Sequence, residues 1–306
     1  MAGIVIHSQL GVSLQTDSNQ VQNLVLGSTG PTASTHASTL IPQATYDGGY
    51  ANAKSVRLRV ANGGAGQSGL IKAFADAFIK AQVAKGVEPF KVEWYLGDTT
   101  QSLQYLAAKY VDVAFTYNKA AEEASVNSGV SVQRILVFLD HFILAGPKSN
   151  PANLLDKDSA SDMFNKLVAS GNADIVLPPD PAVRPPTRFL SRFDKSATNI
   201  KESEQFIAIG QALQAASVLS EYTLTDRGTW LSSPDEVTNN LKNYKTGSDK
   251  APELYNPCCA LDSTDPQDKD LTKTFMAWLV ALDGGQKVVR EFKKKGEILY
   301  TPAVTK

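Results

Sequence analysis

At 306 residues, with 42% hydrophobic and 20% charged side chains, the chain is long enough to bury a large core and to build two domains. Lys and Arg total 30 against 31 Asp and Glu, a net charge of −1, so no long-range field draws it to nucleic acid or to an anionic membrane surface. No apolar run reaches the ~18 residues of a membrane helix, and the only two cysteines, Cys258 and Cys259, are neighbours that cannot staple distant segments.

Residues 1–52 are rich in Ser, Thr, Gln, Asn and Gly and read as a low-complexity, disordered arm, with a strand or two around Val21–Leu26 as the alternative. The start lacks the basic residues and continuous apolar core of a secretory signal. Val56, Leu58 and Val60 then alternate with Arg57 and Arg59 as in a strand. Gly63, Gly64, Gly66 and Gly69 form a turn that lets backbone approach a ligand, and Leu70, Phe74, Ala77, Phe78 and Ala81 give the following helix an apolar face. The start of such a helix offers free N–H groups and a positive dipole end, a seat for an anion.

A second strand is expected over Val92–Leu96, then a helix capped by Asp98, Thr99 or Thr100, then a third strand over Val111–Phe115. Repeated strand–helix–strand units imply a parallel sheet, with ligands at the carboxyl ends of its strands, where both helix starts lie. Ala120–Ser128 reads as a short helix and Arg134–Ala145 as a buried strand or a pair of them. Further on come a helix over Ala160–Ala169, a strand near Asp174–Leu177 and a proline-rich extended loop. A helix over Ile200–Ser220, a strand over Tyr222–Thr225, a helix start at Ser233-Pro234 and a break at Asn256-Pro257 follow. Two closing helices, Leu271–Leu282 and Gln286–Lys295, end with Gly296 as C-cap.

Gly64-x-Gly66-x-x-Gly69 matches a dinucleotide fingerprint, but the position where an acid should hold the ribose is Ala84. The bland reading of these glycines is a turn that packs helix on sheet. His7 and His36 fall in the arm; His141 sits in an apolar run as a satisfied core or hinge residue, and Asp140 points to the opposite face of a strand, so the two form no catalytic pair. No cofactor and no metal site is expected, and the chain reads as a non-enzyme. Ser191, Arg192, Ser196 and Thr198 set a forked guanidinium among hydroxyls, a cluster suited to an oxyanion or, blandly, a polar surface loop.

Several blocks together resemble the tungstate-binding protein family, extracytoplasmic type II solute-binding proteins of ABC importers with secreted eukaryotic relatives. They are Gly63–Gly69, His141–Pro151, Ser191-Arg192-x-Asp194-x-Ser196-x-Thr198, Tyr222–Leu231 and Leu254–Pro257, in family order. The resemblance implies an α/β, two-lobed clamshell of the type II periplasmic-binding-protein kind, each lobe a mainly parallel sheet flanked by helices. Lobe one is expected at residues 53–143 plus 258–306 and a shortened lobe two at 144–257. It further implies a tungstate or molybdate ligand held by Gly64, Ala65, Gly66, Gln67, Ser68, Thr99, Thr100, Ser191, Arg192, Ser196 and Thr198. A monomer outside the cytoplasm, with a membrane permease as partner, goes with that reading, as does Asp226–Arg227 as a structural ion pair. Two alternatives stay open: a clamshell for an organic carboxylate or glycan stacked on Trp94, Tyr95 or Trp230, and a nucleotide-linked enzyme.

Overall fold

The alternating apolar residues of Val56–Asn62 form β2, which runs parallel to β3 (Lys91–Leu96) on one side and to β4 (Val113–Thr116) on the other. This computed structural model describes residues 40–190 and 213–304. Residues from Ile41 onward form one compact unit. Between the parallel strands lie α1 (Gly64–Ser68), α2 (Leu70–Val83) and α3 (Thr99–Ala107). Phe74 and Phe78 of α2 are buried against Phe115 of β4 and Phe275 of a later helix, with ring centroids 4.9 Å apart for Phe78 and Phe275. Burial of such rings is the main stabilising term of this first core. The charged alternates of β2 are paired: Arg57 with Asp268 at 2.6 Å, and Arg59 through a forked contact with Asp112.

After α4 (Lys119–Asn127) the chain enters β5, Ser131–Pro147, a single strand of 17 residues rather than two. Its first part pairs antiparallel with β9 (Tyr255–Ser263) and its last part with β7 (Tyr222–Asp226) and β8 (Leu241–Thr246). Val137 and Phe138 therefore belong to the first core, while Phe142 and Leu144 belong to a second one with Met163, Leu167, Tyr222 and Leu224. The second core is covered by α5 (Ala160–Val176), and β6 (Phe189–Leu190) adds to β7 in parallel. Further described elements are α6 (Leu213–Leu219), α7 (Arg227–Ser232) and α8 (Asp235–Thr238). Then come α9 (Lys269–Val280), α10 (Gly285–Glu291), the hairpin β10–β11 (Lys293–Lys294, Glu297–Ile298) and β12 (Thr301–Pro302).

His141 is 5% exposed, and its ring is fully used. Its Nδ1 lies 2.7 Å from the Gly247 carbonyl, which can only accept, so Nδ1 carries the proton and Nε2 accepts from the Thr301 hydroxyl at 3.1 Å. Burial holds it below the usual histidine range, in keeping with a neutral ring.

Five local expectations are corrected. Ala44–Tyr46, inside the arm expected to be disordered, is β1, an edge strand on β3; residues 1–39 lie outside the described set. Asp174–Leu177 is not a strand, because α5 continues to Val176. Arg184 grips the Asp174 carboxylate with both nitrogens at 2.9 and 2.5 Å and the Thr187 N–H adds a third bond, fixing the last turn and pulling Asp174 down to about 2. Ser233 does not cap α8; its hydroxyl donates to the Thr229 carbonyl and closes α7. Pro257 does not break the chain's course: it lies within β9, opposite Leu139 of β5 and past the end of the pairing with β4 at Cys259. Gly296 is a hairpin residue instead of a helix cap, sharing positive φ with Lys295 in the turn between β10 and β11.

Candidate functional site

The carboxyl ends of β2, β3 and β4 open onto a cavity of about 680 Å³, a volume typical of small-molecule sites. One wall is the start of α1, with Gly63, Gly64, Gln67 and Ser68; a second is the start of α3, with Asp98 and Thr99. Tyr117 after β4, Asp140 of β5 and Asn256 of β9 form the base, and Asp226, Thr229, Ser232 and Ser233 around α7 complete the rim.

The α1 start is held from below by Asn62, the last residue of β2, which is fully buried. Its side-chain oxygen accepts the Gly66 N–H at 2.8 Å and its side-chain nitrogen donates to the Phe115 carbonyl at 2.9 Å. Its own carbonyl takes the Trp94 indole N–H at 3.0 Å and the Gly97 N–H at 3.3 Å. The side chain thus ties the loop after β2 to the backbone of β4, and the backbone carbonyl of the same residue holds the end of β3. Gly63 at the N-cap of α1 supplies no side-chain acceptor, so the first N–H groups of that helix stay free of a cap. On α3 the Asp98 carboxylate takes the Gln101 N–H at 2.8 Å, which leaves the N–H groups of Thr99 and Thr100 without a side-chain cap.

Of the residues expected to hold a ligand, Gly64, Gln67, Ser68 and Thr99 meet at this cavity. Thr99 is 8% exposed; its oxygen accepts the Tyr117 N–H at 3.3 Å and its proton stays available to donate. Three other members of the expected set, of which Ala65 and Gly66 are expected to offer backbone N–H groups alone, do not line the cavity. Gly66 is buried and its N–H is spent on Asn62; Ala65 is buried and lends at most backbone; the Thr100 side chain is exposed and lies off the cavity. The Ser68 hydroxyl donates to Ala65 and meets the Tyr300 hydroxyl at 2.8 Å, so it is already satisfied. Ser191, Arg192, Ser196 and Thr198 lie outside the described residues.

The cavity also carries groups that sequence reasoning did not place there. Asp98 and Asp226 are helix caps, Asp226 accepting the Thr229 N–H at 2.7 Å and its hydroxyl at 2.6 Å. Asp226 does not pair with Arg227, whose guanidinium reaches Glu297 at 2.9 Å instead. Asp140 is 7% exposed; burial, then the nearby Asp226 charge, pushes its carboxyl well above the usual carboxylate range. No Lys or Arg lines the cavity among the described residues. The signal for the α7 rim was present, since Thr229 falls in the Tyr222–Leu231 block. Trp94 is a core residue under Gly66, Tyr95 bonds Glu93 and Trp230 packs beside Val237 and Leu241; none of the three lines the cavity.

A family model described as the PBP superfamily domain matches residues 27–282, most of the chain. The chain belongs to the PBP superfamily. Its fold is the type II PBP arrangement, mixed α/β with the two parallel units β3–β2–β4 and β6–β7 joined through antiparallel strands. Among similar PBP structures, a periplasmic protein provisionally described as metal binding is 43% identical, with 86% of this chain and all of that one covered and a TM-score of 0.76. The tungstate-binding protein TupA of Desulfovibrio alaskensis G20 has a TM-score of 0.65 at 23% identity, covering 82% of this chain and 100% of that one. A tungstate-binding protein TupA of Peptoclostridium acidaminophilum is 25% identical over 230 residues, 68% of this chain and 74% of its own. No described helix is long and apolar enough to cross a membrane.

Proposed function

We propose that this chain is a non-enzymatic, extracytoplasmic solute-binding protein that closes on one small oxyanion of the tungstate or molybdate kind. The observation that carries the reading is the convergence on one cavity of two helix starts with N–H groups to spare, that of α1, which has no side-chain cap, and that of α3, whose Asp98 cap takes Gln101 and leaves Thr99 and Thr100 free. Backbone N–H groups of Gly64 and Ala65 and the Thr99 hydroxyl supply neutral donors there, and the dipole of each helix favours negative charge.

Such donors alone face three aspartates on the cavity wall, so the site needs a cation to hold a dianion. Arg192, with Ser191, Ser196 and Thr198, supplies it in this reading, from the resemblance to the tungstate-binding family. The two apolar cores part β5 between Phe138 and Phe142, which supports two lobes divided a few residues before the expected 53–143 plus 258–306 and 144–257 boundary, crossing at β5 and β9, with closure expelling water around the anion. Each charge-assisted bond contributes roughly 1.5–3 kcal/mol, and a handful reach the about −8 kcal/mol of micromolar affinity. Delivery to a membrane permease completes the proposed role. A glycan site is disfavoured, because the tryptophans that would stack a sugar are packed elsewhere.

Calorimetry against tungstate, molybdate, sulfate and phosphate, with organic acids, sugars and divalent cations as competitors, tests the reading. One tetrahedral oxyanion is expected to bind at one per chain with micromolar or tighter affinity. Arg192→Ala is expected to weaken it by about a hundredfold or more, roughly 3 kcal/mol. Arg192→Ala binding as tightly as the parent, or binding of sugars or cations alone, would overturn it.

A further inference from the structure

We propose that the cavity takes up its oxyanion together with one proton, shared between the anion and the Asp140 carboxyl group; this rests on the oxyanion reading above. Asp140 reaches the cavity from β5, and one of its oxygens accepts the His141 N–H at 2.7 Å. The other oxygen has no hydrogen-bond partner among the described residues. A side chain more than nine-tenths buried and half-satisfied, set in the wall of a ligand cavity, lacks only a partner that the ligand can provide.

The surroundings decide what that partner must be. Asp226 faces Asp140 from the end of β7 and adds like charge. Arg227 of α7 is the one cation acting on it among the described residues, and its guanidinium is engaged by Glu297 at 2.9 Å. Tyr117 after β4, Cys258 of β9 and Tyr300 ahead of β12 lie within its field, and burial keeps each of them protonated. The His141 ring points to Gly247 and Thr301 and is neutral. Asn256 stands opposite Asp140 on β9 and is uncharged.

An ionised Asp140 would therefore meet an incoming dianion across a poorly screened gap, which is strongly repulsive. Two arrangements remove the repulsion, and both hold one proton. A fully ionised anion such as tungstate or sulfate accepts an O–H bond from protonated Asp140, the proton coming from solvent as the anion binds. An anion that brings its own proton, such as hydrogen phosphate, donates it to the Asp140 carboxylate.

The sign of the pH effect follows. Where free Asp140 is ionised, binding of a fully ionised anion consumes a proton, so affinity falls by up to about tenfold per unit of rising pH. Where free Asp140 is already protonated, affinity is flat. Calorimetric titration of the full chain with tungstate and with sulfate, in two buffers of different ionisation enthalpy between about pH 6 and pH 9, counts the protons. Uptake is expected to climb toward one per anion as pH rises in the parent, and to be absent in Asp140→Asn, whose amide donates without titrating. A parent that binds these anions with no uptake and unchanged affinity over the range overturns the proton coupling and leaves the oxyanion reading intact. So does an Asp140→Asn variant that keeps the parent's pH slope. Absence of binding by any tetrahedral anion overturns both. The measurement on the parent stands alone should the variant fail to fold.

Discussion

An Asn62→Ala variant is expected to be about 2–4 kcal/mol less stable than the parent and to bind no oxyanion at concentrations that saturate it. The stability loss comes from two groups that the substitution strands in a dry interior. The Gly66 N–H loses its acceptor and the Phe115 carbonyl loses its donor, and Asn62 is 0% exposed, so water does not replace them. Each unsatisfied buried group costs about 1–3 kcal/mol. The binding loss has a different origin. Asn62 is where the α1 start is tied to β4, and the position whose backbone carbonyl receives Trp94 and Gly97 from the neighbouring strand end. Alanine keeps that carbonyl but frees the α1 start from β4, so the two helix starts no longer converge with the accuracy that several short hydrogen bonds to one small anion require. Chemical denaturation and calorimetry on the same preparation check both parts. Asn62→Asp keeps an acceptor for Gly66 but buries a carboxylate against the Phe115 carbonyl, and is expected to be no more stable than alanine. An alanine variant within about 0.5 kcal/mol of the parent that binds normally would show that Asn62 is dispensable.

Gly66→Ala is the second large effect, and it arises from space rather than backbone freedom. A Cβ at this position would stand 2.2 Å from Cε2 and 2.3 Å from Cζ2 of the Trp94 ring. The ring has nowhere to retreat, being 6% exposed and tethered through its N–H to the Asn62 carbonyl. Overpacking of this kind costs about 1–3 kcal/mol, and relief by shifting α1 outward displaces the free N–H groups of Gly64 and Ala65. Gly64→Ala is the control. Nothing lies within 4 Å of its Cβ position, and alanine in a helix gains about 0.5–1 kcal/mol over glycine, so that variant should be at least as stable as the parent. Thermal unfolding of the pair, with the anion affinity of each, separates the two glycines. Equal behaviour of both variants would contradict the packing argument.

Much of the scaffold was legible in the chain because it depends on residues close together in sequence. Val56, Leu58 and Val60 against Arg57 and Arg59, the spacing of Leu70, Phe74 and Phe78, and Asp98 ahead of an apolar helix each carry their own local signal. What escaped depends on partners far along the chain. Asp174 ends a helix because Arg184 and Thr187 hold its carboxylate, and nothing within α5 announces that. Asn62 reads as a polar residue closing an apolar strand, and its four-way role exists only once β3 and β4 flank it. Asp140 was set aside because a strand turns it away from His141, which is correct; the face it turns to is the cavity wall. The glycine loop was legible as a seat for an anion, but not which of its N–H groups is already committed, since that depends on where Asn62 points.

The most direct test of the account is the anomalous scattering of tungsten in crystals grown with tungstate. A single tungsten peak is expected in the cavity, within hydrogen-bonding distance of its oxygens from the Gly64 or Ala65 N–H and the Thr99 hydroxyl. A tungsten site on another surface, or none in the cavity at tungstate concentrations that saturate binding in solution, would contradict it.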